Sequence, residues 1–490
     1  MMSDFPLLSL LFLSLPLGAL LAWLWPKPTA ARVIALAVAL FDLVIALIAV
    51  ARFDAAQPGF QLVEKYAWIP SLGIHYHVGV DGLAVLFLPA AVLLFIGVIL
   101  ASWNSVHTLT RLYYSLLMLL ETATLGVFCS LDTVLFYLFW ELTLVPLYFL
   151  VSLWGSGPNR RHAATKYTLV MLVGGVPLLF GFLVLAFNAS AGGLPVFDLP
   201  TLLTRPLPTD AQYLVFLLLL IGFGVKVPVF PLHTWLPLIA MEGPAAVAAL
   251  LTGMKLGAYG LIRFAVPLAP TAAQELHWLL AALGTVSILF GAAAALAQTN
   301  LRRMLGYASL SHVGLVVLGL ASFNVQGLQG AVMQLLNFTV ASGGLFLLAA
   351  HLHHRTGTTD IAHLGGAAKT MPLLASFFLL YGLAGMGLPG TSGFPAELLI
   401  LLSTFEAHAG AGLAALLGMV LGAAYFLELY RRAFFGPVVQ PVVAQAQDLR
   451  PRELIVALAC ALLVIGFGLW PAPLLDLMRP AAEAWIARLG

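Results

Sequence analysis

The sequence predicts an all-α polytopic membrane protein of about fourteen transmembrane helices. Three observations carry that prediction. The 490-residue chain is 62% hydrophobic and only 9% charged, whereas a soluble domain carries about a quarter charged residues. Apolar runs long enough to cross a bilayer recur from one end to the other. Two of those runs are too long for one straight helix and are interrupted by proline and glycine.

The runs fall, in order, near 5–25, 31–51, 83–102, 112–130, 133–153, 166–188, 212–240, 244–266, 275–296, 302–322, 329–353, 373–405, 410–434 and 453–472. The first lacks a basic n-region and is longer than the apolar core of a signal peptide, so it reads as a spanning helix. With the N-terminus outside, fourteen of the 22 basic residues fall in inside loops, among them Arg160, Arg161, Arg302, Arg303, Arg431 and Arg432. Arg52, Lys65, Arg205, Arg263, Arg479 and Arg488 fall outside. This bias fits an even number of crossings with both termini outside.

The composition excludes other classes. Cys129 and Cys460 lie in apolar runs without metal-ligand spacing. There is no CxxC, no P-loop and no dinucleotide fingerprint after a strand, so the sequence offers no cofactor site of its own. A net charge of +2 gives no footing to nucleic acid.

The interrupted runs are the seventh, through Lys226-Val-Pro228-Val-Phe-Pro231, and the twelfth, through Gly387-Leu-Pro389-Gly390-Thr-Ser-Gly393-Phe-Pro395-Ala-Glu397. They are five helices apart. An odd offset inverts membrane orientation, so 112–266 and 267–436 read as two inverted five-helix repeats, flanked by helices 1–3 in 1–111 and a C-terminal helix and tail in 437–490. Each interruption has an ionisable neighbour, Lys226 before the first and Glu397 after the second.

Intramembrane ionisable residues are the functional candidates, because charge in hydrocarbon is costly. Glu141, in Phe139-Trp140-Glu141-Leu, is expected to pair with Lys226. The distance between the two charges would then set how tightly the lysine holds its proton. Lys255 is expected inside the eighth helix, too deep to snorkel. His233 follows the first interruption and is a relay candidate or a partner for freed carbonyls. His312 is a weaker relay candidate. Asp132 reads as a helix cap, Glu242 as a favourable charge at a helix N-terminus, and Glu428 as a surface partner of Arg431 and Arg432. Glu121 lies deeper, and Asp42 receives no role. The run His351, His353, His354 is not expected to bind metal.

These motifs together resemble the antiporter-like subunits of respiratory complex I. The signatures are Gly79-Val-Asp81-Gly82, Leu119-Leu-Glu121-Thr, Ser130-Leu-Asp132, Phe139-Trp140-Glu141-Leu, Lys226-Val-Pro228, His233-Thr-Trp-Leu-Pro237, Lys255-Leu-Gly-Ala-Tyr-Gly260, Ser311-His312-Val-Gly314, Gly387-Leu-Pro-Gly-Thr-Ser-Gly-Phe394 and Tyr430-Arg431-Arg432. The resemblance implies a proton-translocating module with a Glu141–Lys226 pair, a relay at Lys255 and an exit-side carboxylate at Glu397. It places NADH, FMN, iron–sulfur clusters and quinone on other subunits, with none of them in this chain. It gives as partners the bilayer and the other membrane-arm subunits, including neighbouring antiporter-like ones, in a bacterial inner membrane or an equivalent energy-transducing membrane. Equivalent subunits of cation/proton antiporters, membrane hydrogenases and inorganic-carbon uptake complexes share the pattern, and a poorly conducting structural subunit is the remaining alternative. Three places depart from the family pattern. In Leu238-Ile-Ala-Met-Glu242-Gly-Pro244 only the glutamate and proline of a polar stretch remain, Phe338 stands where a histidine is common, and Asn300-Leu301-Arg302 stands for a common Asp-Leu-Lys. Water beside Asn337, Ser311 and His312 is expected to bridge the second.

Overall fold

The computed structural model describes residues 5–190, 192–438 and 440–489. Twelve helices are long and apolar enough to cross a membrane, and Phe87–Ala101 and Pro372–Gly385 are shorter apolar helices in the third and twelfth positions. The fourteen expected runs are all helical. Most show an exposed apolar face, as helices bordering lipid do; the fourth, eighth, tenth and eleventh spans are almost wholly enclosed by protein.

One element departs from the all-α expectation. Between the second and third spans, β1 (Gln61–Ile69) and β2 (Ile74–Val80) form an antiparallel hairpin. It is tied to the helices. The Glu64 carboxylate of β1 accepts hydrogen bonds from the amides of Leu8 at 2.8 Å and Ser9 at 3.1 Å. Those amides open the first span, Leu7–Leu24, and have no partner inside it. A carboxylate there also complements the helix dipole.

The seventh span is divided as expected. Thr209–Lys226 ends at the lysine and the helix resumes at Leu236–Glu242. Prolines without an N–H prevent continuation, and tertiary contacts satisfy the freed groups. Trp235 Nε1 donates to the Val225 carbonyl at 2.9 Å, and Ser287 Oγ accepts from the Phe230 amide at 3.0 Å. The twelfth span breaks between Pro372–Gly385 and Gly393–Ala407. Gly387 and Gly390 take positive φ there, of 66° and 88°, which glycine adopts without steric cost.

The eighth span corrects the reading of Lys255 as a mid-helix residue. Ala245–Gly253 stops, and Leu256–Gly260 starts anew with Lys255 at its N-cap. The Gly253 carbonyl, released by this break, accepts from Thr339 Oγ1 at 3.1 Å. The fifth span is also divided, into Thr133–Leu142 and Leu144–Trp154. Pro146 disrupts the turn that ends at Leu142. π-turns interrupt the eighth and eleventh spans at Leu261–Ala265 and Phe338–Ser342. Arg263, read as an outside-loop residue, is instead buried in the first of these and grips Asp81 with two nitrogens, at 2.6 and 2.5 Å. Its burial is compensated by that bidentate pairing.

Candidate functional site

The broken spans bring the predicted residues toward the protein interior. Lys226, at the last turn of Thr209–Lys226, reaches into the break of the fifth span. Its Nζ donates to Thr143 Oγ1 at 2.8 Å and to the Trp140 carbonyl at 3.1 Å, and lies 3.9 Å from the centre of the Trp140 ring. The ring face adds cation–π attraction to these hydrogen bonds.

Glu141 does not pair directly with this lysine. Among the described residues no ion pair joins them. Glu141 instead presses against the sixth span, where a Cβ on Gly175 would stand 2.2 Å from its Oε1. That oxygen is buried without a hydrogen-bond partner. The direct form of the expected contact is therefore absent: the two charges are neighbours at the fifth span's break, with the lysine turned to the backbone and hydroxyl of Trp140 and Thr143. Gly175 was not singled out from sequence. Only its fit against Glu141 shows its part.

A cavity of about 30 Å³ adjoins Lys226, lined among others by Thr124, Thr143, Tyr167, Trp235, Met254 and Leu256. By this measure one water needs roughly 10–15 Å³, so the space holds one or two. Met254 and Leu256 flank Lys255, so the cavity reaches the break in the eighth span. Lys255 turns away from it: its Nζ donates to Ser309 Oγ on the tenth span at 2.6 Å, 5.3 Å from the centre of the Phe338 ring.

A second cavity of about 30 Å³ begins at Ser309 and is lined also by His312, Asn337, Phe338, Ser342 and Gly385. The polar space expected beside Phe338 exists, with Ser309 in the place foreseen for Ser311. Ser311 Oγ is engaged with the Ile288 carbonyl at 3.0 Å. His312 Nε2 lies 3.4 Å from Tyr425 Oη.

Beyond that cavity the polar chain continues along the eleventh span. Asn337 accepts from Ser392 Oγ at 2.6 Å and donates to Gln334 Oε1 at 3.4 Å. Gln334 Nε2 in turn donates to Glu397 Oε1 at 3.4 Å. Glu397 is buried, and its Oε2 has no partner. A Cβ on Gly387 would stand 2.3 Å from that oxygen. Gln334 and its amide bridge were missed in the sequence, where one glutamine in an apolar helix gives no signal of its partner.

His233 is not part of this line. Its ring packs among Phe230, Phe290 and Tyr307, with centroids 5.6, 4.9 and 6.5 Å away, and its Nδ1 is unpartnered. Asp132 caps the fifth span through the amides of Val134 and Leu135, at 2.9 and 3.2 Å, but is buried. Glu242 accepts from the Asn159 amide at 2.8 Å, at the start of the sixth span. Glu428 pairs with Arg431 at the surface. Among the described residues no His, Cys, Asp and Glu cluster could hold a metal, and both cysteines are free and buried.

A helical membrane scaffold with divided spans and buried or part-buried lysines and carboxylates defines a polytopic protein of the antiporter-like class. The chain belongs to the NADH:quinone oxidoreductase/Mrp antiporter transmembrane family, whose model matches residues 130–422. It is 40% identical over 480 residues to NAD(P)H-quinone oxidoreductase chain 4 1 of Synechococcus sp. (strain JA-3-3Ab), covering 96% of this chain and 90% of that protein. It is 37% identical over 436 residues to NADH-quinone oxidoreductase subunit M of Rickettsia conorii, covering 88% and 87%. Its structure superposes on a chain of respiratory complex I from Thermus thermophilus with a TM-score of 0.90 and 33% identity, covering 99% of this chain and 100% of that one.

Proposed function

We propose that this chain is a proton-translocating membrane-arm subunit of a proton-pumping NADH:quinone oxidoreductase, in which quinone reduction by other subunits drives proton export. The observation that carries the reading is the string of polar groups and water-sized cavities running from Lys226 past Lys255 to Glu397. A protein stabilised by packing alone has no use for a part-buried lysine, a buried lysine and a buried carboxylate placed on three divided spans.

In this reading Lys226 takes a proton from water in the first cavity and Glu141 sets how firmly it is held. The separation of the two is the variable that the driving reaction changes. Lys255 passes the proton to the second cavity through Ser309 and water, and Glu397 delivers it toward the outside. His312, on the wall of the second cavity, orients water there. Phe338 gives Lys255 a ring face to rest on rather than a titratable neighbour. The division into inverted repeats at 112–266 and 267–436 is supported by the matching breaks in the seventh and twelfth spans. The inside excess of basic residues supports both termini outside a bacterial inner membrane or its equivalent. NADH, FMN, iron–sulfur clusters and quinone belong to other subunits, and the neighbours of this chain are other membrane-arm subunits.

Purification from native membranes tests the reading. The chain should come away with quinone-reductase subunits, and inverted vesicles should acidify when NADH is oxidised by quinone. Co-purification with antiporter subunits and no redox subunit would move it to the cation/proton antiporter branch of the same family.

A further inference from the structure

Two buried carboxyls lie outside the line just described. The first, second and fourth spans (Leu7–Leu24, Ala30–Arg52 and Thr110–Cys129) meet at Gly18. A Cβ there would stand 2.8 Å from Val38 Cγ2 and 3.1 Å from Met118 Sδ. The first span runs opposite to the other two. One turn on from that contact, in the same direction along the bundle, come Ser14, Asp42 and Glu121 (roughly 5 Å of helix rise). The register therefore sets the three at one level.

Asp42 and Glu121 are both 0% exposed. Asp42 Oδ2 and both Glu121 oxygens have no hydrogen-bond partner. Among the described residues no lysine, arginine or histidine bonds either carboxyl. The neighbouring titratable groups are engaged elsewhere. Glu64 on the hairpin is held by the Leu8 and Ser9 amides, and Tyr76 by Ser9 Oγ at 2.7 Å. Glu141 on the fifth span faces Gly175. Arg32, at the inside end of the second span, lies over Trp103, and Tyr114 is on the fourth span nearly two turns back from Glu121.

The one polar contact of the group counts protons. Ser14 Oγ is 2.6 Å from Asp42 Oδ1 and 3.1 Å from the Leu11 carbonyl. A hydroxyl has one proton to give, and a carbonyl can only accept. Both contacts are satisfied together when Asp42 carries a proton and donates to Ser14. Two unpaired carboxylates side by side in hydrocarbon would otherwise face both desolvation and mutual repulsion.

We propose that Ser14, Asp42 and Glu121 form a second intramembrane proton-binding site, holding at least one proton at neutral pH. It lies round the fourth span from the Lys226 cavity: Leu120 and Thr124 of that span line the cavity, and Glu121 is turned from them by about 60–100° of helix. The site rests on this geometry alone and does not require the pumping role.

Infrared spectra of the full-length chain, purified with the complex it assembles in, test it. At neutral pH the wild type should show a protonated-carboxyl C=O band that both Asp42→Asn and Glu121→Gln diminish, by up to one carboxyl equivalent each. Isotope labelling of aspartate or glutamate in the unaltered chain should shift the same band, so the test does not depend on either variant assembling. Loss of carboxylate stretches with no loss of a C=O band would overturn the proposal by showing both groups ionised. A band that sodium chloride removes at constant pH would also overturn it, in favour of a sodium site.

Discussion

The two interrupted spans hold their ionisable groups in opposite ways. At the seventh, a lysine reaches out of its own helix to a carbonyl and a hydroxyl of a second broken helix, beside a cavity. At the twelfth, a carboxylate is held by a neutral amide, itself held by a second amide to which a serine donates. Neither group has an opposite charge in contact, yet each carboxylate of the pathway rests an unpartnered oxygen on a glycine, Glu141 on Gly175 and Glu397 on Gly387. The two halves share a way of keeping space open for a carboxylate and differ in what steadies it. The seventh span has a lysine ammonium nearby, and the twelfth has an amide ladder.

The largest effect should come from breaking the entry side. Lys226→Ala should cut proton export per electron at least about tenfold, the scale of losing one proton-transfer group, while the complex still assembles on native gels. Wild-type pumping in that variant would reduce the lysine to a structural ligand of Trp140. On the exit side, Glu397→Gln should cost far more pumping than Glu428→Gln. Glu428 is exposed in a surface pair with Arg431, worth at most about 1 kcal/mol. Equal losses would erase the distinction between the two carboxylates.

Steric change at the shared glycine should be smaller. Gly175→Ala should push the Glu141 carboxylate from its seat and lower pumping several-fold, at a stability cost of about 1–3 kcal/mol for overpacking. Unchanged pumping together with unchanged stability would mean the carboxylate has room elsewhere. Phe338→His should change pumping least, because the cavity with Ser309, His312 and Asn337 already offers water three polar partners. A large rise in proton export would mark the native chain as a poor conductor and favour the structural-subunit reading.

Outside the membrane, Asp198 offers a check that involves no conduction. Burial alone would raise its pKa, but His77, Lys65 and Thr201 hydrogen-bond it and hold the carboxyl well below the usual carboxylate range. The stability it contributes is therefore complete at neutral pH and is lost only as acidification passes that lowered value. Asp198→Asn should lose about 1–3 kcal/mol at neutral pH, the cost of leaving buried polar partners unsatisfied, and that deficit should shrink in acid.

Much of this was legible in the residues. The fourteen runs needed only hydropathy and length. The breaks at Pro228 and Pro389 were visible because proline and glycine leave a local signature. The break at Lys255 has no proline, and the glycines beside it, Gly253 and Gly257, do not set it apart from the sixth span, which stays helical through Gly174 and Gly175. This break arises where Gly257 lies close against the broken seventh span, so that a Cβ would stand 2.5 Å from the Val227 amide, and where Thr339 satisfies the released carbonyl of Gly253. Both causes are tertiary. The hairpin was missed because its two strands fall between apolar runs that dominate the pattern. A direct Glu141–Lys226 contact is absent for a similar reason. Sequence places the two charges at one depth, but side-chain direction was decided by the free carbonyl of Trp140 and the bare backbone of Gly175.

The size of the two cavities also makes the line a sieve. Each has room for one or two waters and shows few oxygen atoms on its wall. A proton crosses such a space by exchange along hydrogen bonds and needs no room of its own. A sodium ion would have to shed most of its hydration shell beside an ammonium that repels it, with only the side-chain oxygens of Thr124, Thr143 and Tyr167 in the first cavity, or Ser309, Asn337 and Ser342 in the second, to replace the lost waters. On the proposed reading, selectivity among cations would then need no dedicated filter, because the lysines and narrow voids of the line disfavour everything larger than a proton.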